Sequence, residues 1–147
     1  MCISECKSSI NYSGGVPNPM PAADVDVTAV LVRRWLHGDL HPANILVSHG
    51  RVSGVIDFGD ITAGDPATDL AVAWMLLPLG HHAAFRSAYR SARADPAGSA
   101  EDAGSTALWT RARGWALNLA IVFLAHSADN PQLLNVGRRT LSRVLAQ

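Results

Sequence analysis

Apolar positions follow two different periods along this chain. Residues 45–47 and 52–56 are short runs rich in β-branched side chains, and Ser48-His49-Gly50-Arg51 between them is a turn signal, so the pair reads as a β-hairpin. From Asp65-Pro66 onward the period lengthens to that of a helix. Asp65 suits an N-cap and Pro66 the first helical position, where a missing N–H costs nothing. Leu70, Ala73, Trp74 and Leu77 share one face, and Pro78 and Gly80 should end the element. A helix apolar nearly all round belongs in a core, and this one is far shorter than the roughly 20 residues that span a bilayer.

Three more helices complete the pattern. Residues 82–92 carry Phe85, Ala88, Tyr89 and Ala92 on one side, and residues 95–104 are small and polar, hence a loop. Ser105 or Thr106 can cap a long helix to about His126, with Leu108, Trp109, Ala112, Ala116, Leu119 and Phe123 on one face. Trp109 and Trp115 on it read as core residues rather than as an aromatic platform for a cationic substrate. Asn130-Pro131 then opens a last helix whose apolar face is Leu134, Val136, Leu141, Val144 and Leu145. Upstream, residues 1–30 are rich in Ser, Pro, Gly and Asn and read as an irregular or disordered leader. Residues 27–36 form a short strand or helix interrupted by Arg33 and Arg34.

Composition narrows the classes. With 147 residues, 48% apolar and 16% charged, the chain suits one folded domain. Zero net charge and a pI near 7.0 give no reason to expect nucleic acid or an anionic membrane. Cys2 and Cys6 lack the partners for a zinc site and read as thiols of a cytoplasmic protein, since residues 1–15 contain no secretory apolar core. Charge is unevenly spread: Asp39, Asp57, Asp60, Asp65 and Asp69 face only Arg51 between positions 39 and 69. Such a cluster asks for cations, a metal ion or a cationic substrate, although Asp65 and Asp60 also suit caps and turns.

A hairpin folds its outer ends together. Asn44, just before the first strand, and Asp57, just after the second, should therefore emerge side by side, with Asp39 on the loop entering that end. Two carboxylates and an amide oxygen suit a hard ion such as Mg²⁺ that keeps waters and binds phosphate. His81-His82 does not suit one, because adjacent helical residues diverge.

His37-Gly38-Asp39 with Asn44, then Asp57-Phe58-Gly59 and the downstream Asp65-Pro66, resembles the catalytic loop and metal motif of the aminoglycoside phosphotransferase and choline kinase-like small-molecule kinases. The resemblance covers roughly residues 34–78. It implies an α+β, mainly α fold: residues 31–147 as the C-terminal helical lobe of the protein-kinase-like fold, with catalytic loop and hairpin at 35–60 and helices from about 65. By resemblance Asp39 is the catalytic base, and Asn44 and Asp57 hold Mg²⁺. His37 and Asp69 support the loop, Asp69 through backbone N–H groups. His41 either packs or meets substrate or phosphate, and Asp60 is an acid beyond the metal motif whose role stays open. ATP would be co-substrate and a small hydroxyl compound the acceptor, with the acidic cluster compatible with a cationic one.

The pattern is also broken. Members of that family hold nucleotide phosphates with a strand lysine in an N-terminal lobe, whereas Lys7 in the leader is the one lysine here. Losing that lysine and lobe removes positioning and charge neutralisation, so the 147 residues alone should have very low or no kinase activity. Two other readings stand beside the kinase: a non-catalytic remnant that binds a partner or a second copy through the surface of the missing lobe, and a metal-dependent hydrolase using His37, Asp39 and His41.

Overall fold

The computed structural model describes residues 34–93 and 105–147. The expected leader, Lys7, both cysteines and the 95–104 loop lie outside the described residues. Four short strands are followed by helices: β1 Arg34–Leu36, β2 Ile45–Ser48, β3 Arg51–Val55, β4 Thr62–Gly64, then α1 Ala67–Leu70, α2 Val72–Leu76, α3 His82–Ala92, α4 Thr106–His126 and α5 Pro131–Leu145. The described part is mainly helical with two small antiparallel sheets, consistent with an α+β fold.

The hairpin β2–β3 turns at His49 and Gly50, both with positive φ (51° and 73°), the backbone that a tight two-residue turn between twisted strands requires. Pairing runs Ile45 with Val55 and Leu46 with Gly54, then shifts to Val47 with Val52, so Ser53 is the extra residue of a bulge. The second sheet joins β1 to β4, with Leu36 opposite Thr62. That pairing brings the chain leaving β1 alongside the chain entering β4, although 26 residues separate the two partners in sequence.

The core lies among α1, α2, α4 and α5, where Leu70, Trp74, Met75, Leu108, Trp109, Phe123, Val136 and Val144 are buried. Arg86 of α3 lays its guanidinium 4.9 Å from the Trp109 ring centre, and Phe85 and Tyr89 meet the same indole edge-on. Arginines satisfy helix ends: Arg143 donates to the carbonyls of Trp74 and Met75 (both 2.9 Å), and Arg113 donates twice to that of Val144. Ser105 caps α4 and Asn130 caps α5.

Three expectations need correction. The helix after Pro66 is divided at Ala71, where the Trp74 N–H bonds to the Ala71 carbonyl in a tighter three-residue step. On α5, Leu145 is 70% exposed, and the buried side instead takes in Gly137 and Thr140. A Cβ on Gly137 would lie 3.1 Å from the Ala120 carbonyl oxygen, so smallness rather than apolarity sets that contact. Trp115 is not core: it is 39% exposed and lines a cleft of about 400 Å³ with Arg111, Gly114 and Asn118.

His82 ties α2, α3 and the C-terminus together. Its Nε2 faces the Leu77 carbonyl (3.3 Å), its Nδ1 faces the Gln147 amide (3.4 Å), and Gln147 in turn accepts from the Trp74 indole N–H (3.0 Å). Burial holds its pKa below the ordinary 6.5, so the unfolded chain takes up the proton first. The stabilisation is complete above pH 6.5 and is lost as pH falls through the depressed value in the fold. Thermal unfolding from pH 7.5 down to about pH 5 should show a falling Tm, with a shallower slope in His82→Phe. An unchanged slope in that variant would assign the acid sensitivity elsewhere.

Among the described residues no helix is long and apolar enough to cross a membrane.

Candidate active site

The loop after β1 is built on Asp69. Its carboxylate accepts the backbone N–H of His37 (2.7 Å) and of Gly38 (3.1 Å), one oxygen each. A carboxylate on an apolar helix needs such donors. The His37 ring then spans to the hairpin: Nε2 donates to the Ile56 carbonyl (2.8 Å) and Nδ1 accepts from the Asp39 N–H (3.3 Å). One neutral tautomer makes both bonds. Phe58 packs against the ring with centroids 4.8 Å apart.

Gly38 explains why the loop passes so close to the segment Asp57–Asp60. The register of β1 and β4, extended two residues past Leu36 and Thr62, sets Gly38 opposite Asp60. A Cβ there would stand 2.1 Å from the Asp60 carbonyl oxygen, and φ is +85°. Glycine is thus required twice over, for its backbone angle and for its lack of a side chain.

Asp39, 6% exposed, and Asn44 are both buried. The Asn44 side-chain N–H donates to the Asp39 carbonyl (2.9 Å), which fixes the amide and leaves Oδ1 as its remaining polar atom. The Asn44 carbonyl accepts from the Ile56 N–H (3.0 Å), so Asn44 and the residue preceding Asp57 pair across the open end of the hairpin. Asp57 itself is exposed and left-handed (φ 62°, ψ 63°), an unusual backbone for a residue other than glycine, and turns the chain into the 3₁₀ step Phe58–Asp60. The fold therefore gathers His37, Asp39, Asn44 and Asp69 through direct hydrogen bonds and places Asp57 at the adjoining strand end. Asp60 is partly buried and meets the loop through its backbone.

His41 is buried beside them. Its Nδ1 accepts from the Ala43 N–H (3.2 Å), its Nε2 lies 3.6 Å from Asp39 Oδ2, and its ring meets Phe123 edge-on at 5.6 Å. Sequence reasoning missed a further link. Asp65 accepts from the Ala67 N–H as a cap, but Arg111 also grips it with two N–H groups (2.6 and 3.2 Å), fastening the segment after the metal motif to α4. Burial alone would push the Asp65 carboxyl up; the hydrogen bonds from Arg111 and Ala67 and the Arg111 charge outweigh it and hold the pKa below its ordinary value. A cap and an ion pair 46 residues away make the same demand on sequence, and only the cap is local enough to read.

The donor set fits magnesium better than zinc. The amide oxygen of Asn44, before β2, and the carboxylate of Asp57, after β3, are hard ligands. Both ring nitrogens of His37 are already hydrogen-bonded, and among the described residues no three His, Cys, Asp or Glu side chains are grouped to hold a metal.

A strand-paired loop carrying the buried, hydrogen-bonded Asp39 and Asn44 thus lies beside a hairpin end carrying the acid Asp57. The chain belongs to the phosphotransferase enzyme family, whose model matches residues 20–115. It is similar to a homoserine kinase of Methylocella silvestris, 39% identical over an alignment of 102 residues that covers 64% of this chain and 30% of that protein. The chain thus spans about 30% of the length of this curated relative. No solved structure matches it.

Proposed function

We propose that residues 31–147 form the helical lobe of an ATP-dependent small-molecule kinase. In this reading Asp39 receives or orients the proton of the acceptor hydroxyl, while Asn44 and Asp57 hold Mg²⁺, which when bound would neutralise the nucleotide phosphates. The observation that supports it best is the clamp of Asp69 on the His37 and Gly38 N–H groups, which fixes Asp39 and Asn44 next to the hairpin end that carries Asp57. The acidic stretch suits an acceptor carrying an amine. The relative's name makes homoserine the first acceptor to try, ahead of an aminoglycoside, in the cytoplasm where ATP is abundant.

A second reading, a module that binds a partner or a second copy, draws on a different observation. Trp35 is 80% exposed, and Leu46, Val47, Val52, Phe58 and Ile61 of the hairpin region are exposed with it. Such a surface calls for a cover, whether a nucleotide-holding lobe or another chain.

Mn²⁺ separates the two readings. Added to ¹⁵N-labelled chain as a paramagnetic substitute for Mg²⁺, it should broaden the amide signals of Asn44, Ile56 and Asp57 first, and Asp57→Asn should abolish this. Phosphate transfer from ATP·Mg²⁺ to homoserine, weak in this chain because Lys7 is its lone lysine, should vanish in Asp39→Asn. Broadening confined to other residues, with no transfer, would favour the binding module.

A further inference from the structure

His41 makes contacts that neither the base nor the metal ligands require. It precedes Pro42 and is extended (φ −140°, ψ 169°), as a residue before proline prefers, so it stands at the start of the 3₁₀ turn Pro42–Asn44. Its carbonyl accepts from the Asn44 N–H (2.9 Å) and its Nδ1 from the Ala43 N–H. A ring nitrogen that accepts carries no proton, so in the neutral ring the proton sits on Nε2. That nitrogen is the one facing Asp39 Oδ2, at 3.6 Å, just beyond hydrogen-bond length. Phe123 of α4 braces the ring from its edge.

Together, α4 and the turn that follows His41 settle where one N–H points. We propose that His41 is a positioning residue: its Nε2–H sets the rotamer of the Asp39 carboxylate toward the acceptor hydroxyl, and its backbone and Nδ1 hold the turn that ends in Asn44. One side chain thereby couples the candidate base to the candidate metal ligand. The inference rests on the phosphotransferase reading for its purpose, but its geometry is testable without turnover. Contacts of this kind are often long before substrate arrives and tighten in the reacting complex.

Two replacements separate positioning from packing. His41→Phe keeps a ring against Phe123 and removes the N–H, whereas His41→Gln supplies an amide N–H in place of Nε2. Long-range ¹H–¹⁵N spectra of the 147-residue chain should show His41 protonated on Nε2. Three-bond couplings across χ1 of Asp39 should report a single rotamer in wild type and in His41→Gln, and an average in His41→Phe. With ATP·Mg²⁺ and homoserine, kcat should fall about tenfold to a hundredfold in His41→Phe and recover in His41→Gln, with KM for ATP changed less than about twofold. A proton on Nδ1, or a single Asp39 rotamer in His41→Phe, overturns the proposal. Unaltered turnover in His41→Phe overturns its catalytic purpose. A wild-type chain without any transfer is what a lone Lys7 leads one to expect; the tautomer and rotamer measurements then decide the positioning role by themselves, and absence of Mn²⁺ broadening at Asn44 and Asp57 is the result that sinks the phosphotransferase reading instead.

Discussion

Gly38→Ala is expected to destabilise the fold by about 3 kcal/mol or more, the largest loss of any glycine-to-alanine change in the described residues. The cause is the close passage of two backbone segments. Alanine would have to adopt φ of +85° while its methyl group stood 2.1 Å from the Asp60 carbonyl oxygen. Neither partner can yield cheaply. The Gly38 N–H is held by Asp69, and Asp60 closes the 3₁₀ step between Asp57 and β4. Relief requires the loop and the metal motif to separate, so any chain that still folds should also lose Mn²⁺ broadening at Asn44 and Asp57. Gly50→Ala is the control. Its φ is similarly positive at +73° but nothing lies within 4 Å, so it should cost only the backbone term, about 1–2 kcal/mol. Urea unfolding of the three chains measures both values; equal losses at the two glycines would remove the clash from the account.

The contrast between those glycines shows how much was legible beforehand. His49-Gly50 reads as a turn because the reason for glycine is local. Gly38 reads as part of a motif, yet the reason for it is a carbonyl 22 residues downstream that only the β1–β4 register brings near. The helices divide in the same way. Residues 82–92 and 106–126 were set by apolar spacing and by Ser105, features contained within one element. The buried side of α5 was misplaced at Leu145 because spacing weighs apolar residues, whereas α4 approaches where Gly137 is small. The Asp65–Arg111 pair and the arginines that cap α2 and α5 join elements far apart in sequence, and a polar side chain carries no periodicity to announce its partner. Asp69 lies between these cases: an acid inside an apolar helix predicts that it must be satisfied, and the family resemblance, not the burial cost, supplied the partners.

Asp69→Asn should therefore loosen the site before it loosens the helices. The carboxylate gives one oxygen to each of two adjacent N–H groups, and bonds of this charge-assisted kind contribute about 1.5–3 kcal/mol apiece. Partial exposure of Asp69 places the total toward the lower end. Asparagine keeps one acceptor and turns an N–H toward the other donor, so about 2 kcal/mol should be lost, and more in Asp69→Ala, where both N–H groups lose their partner. Hydrogen exchange gives the local readout. Protection at His37 and Gly38 should fall by about tenfold or more in Asp69→Asn, while the amides of α4 and α5 stay protected, because the clamp sits at the edge of the core rather than within it. Uniform loss of protection across the helices would make Asp69 a core residue. Selective loss, together with weaker Mn²⁺ broadening at Asn44, would make it the residue through which the first helix holds the loop from His37 to Asn44 in place.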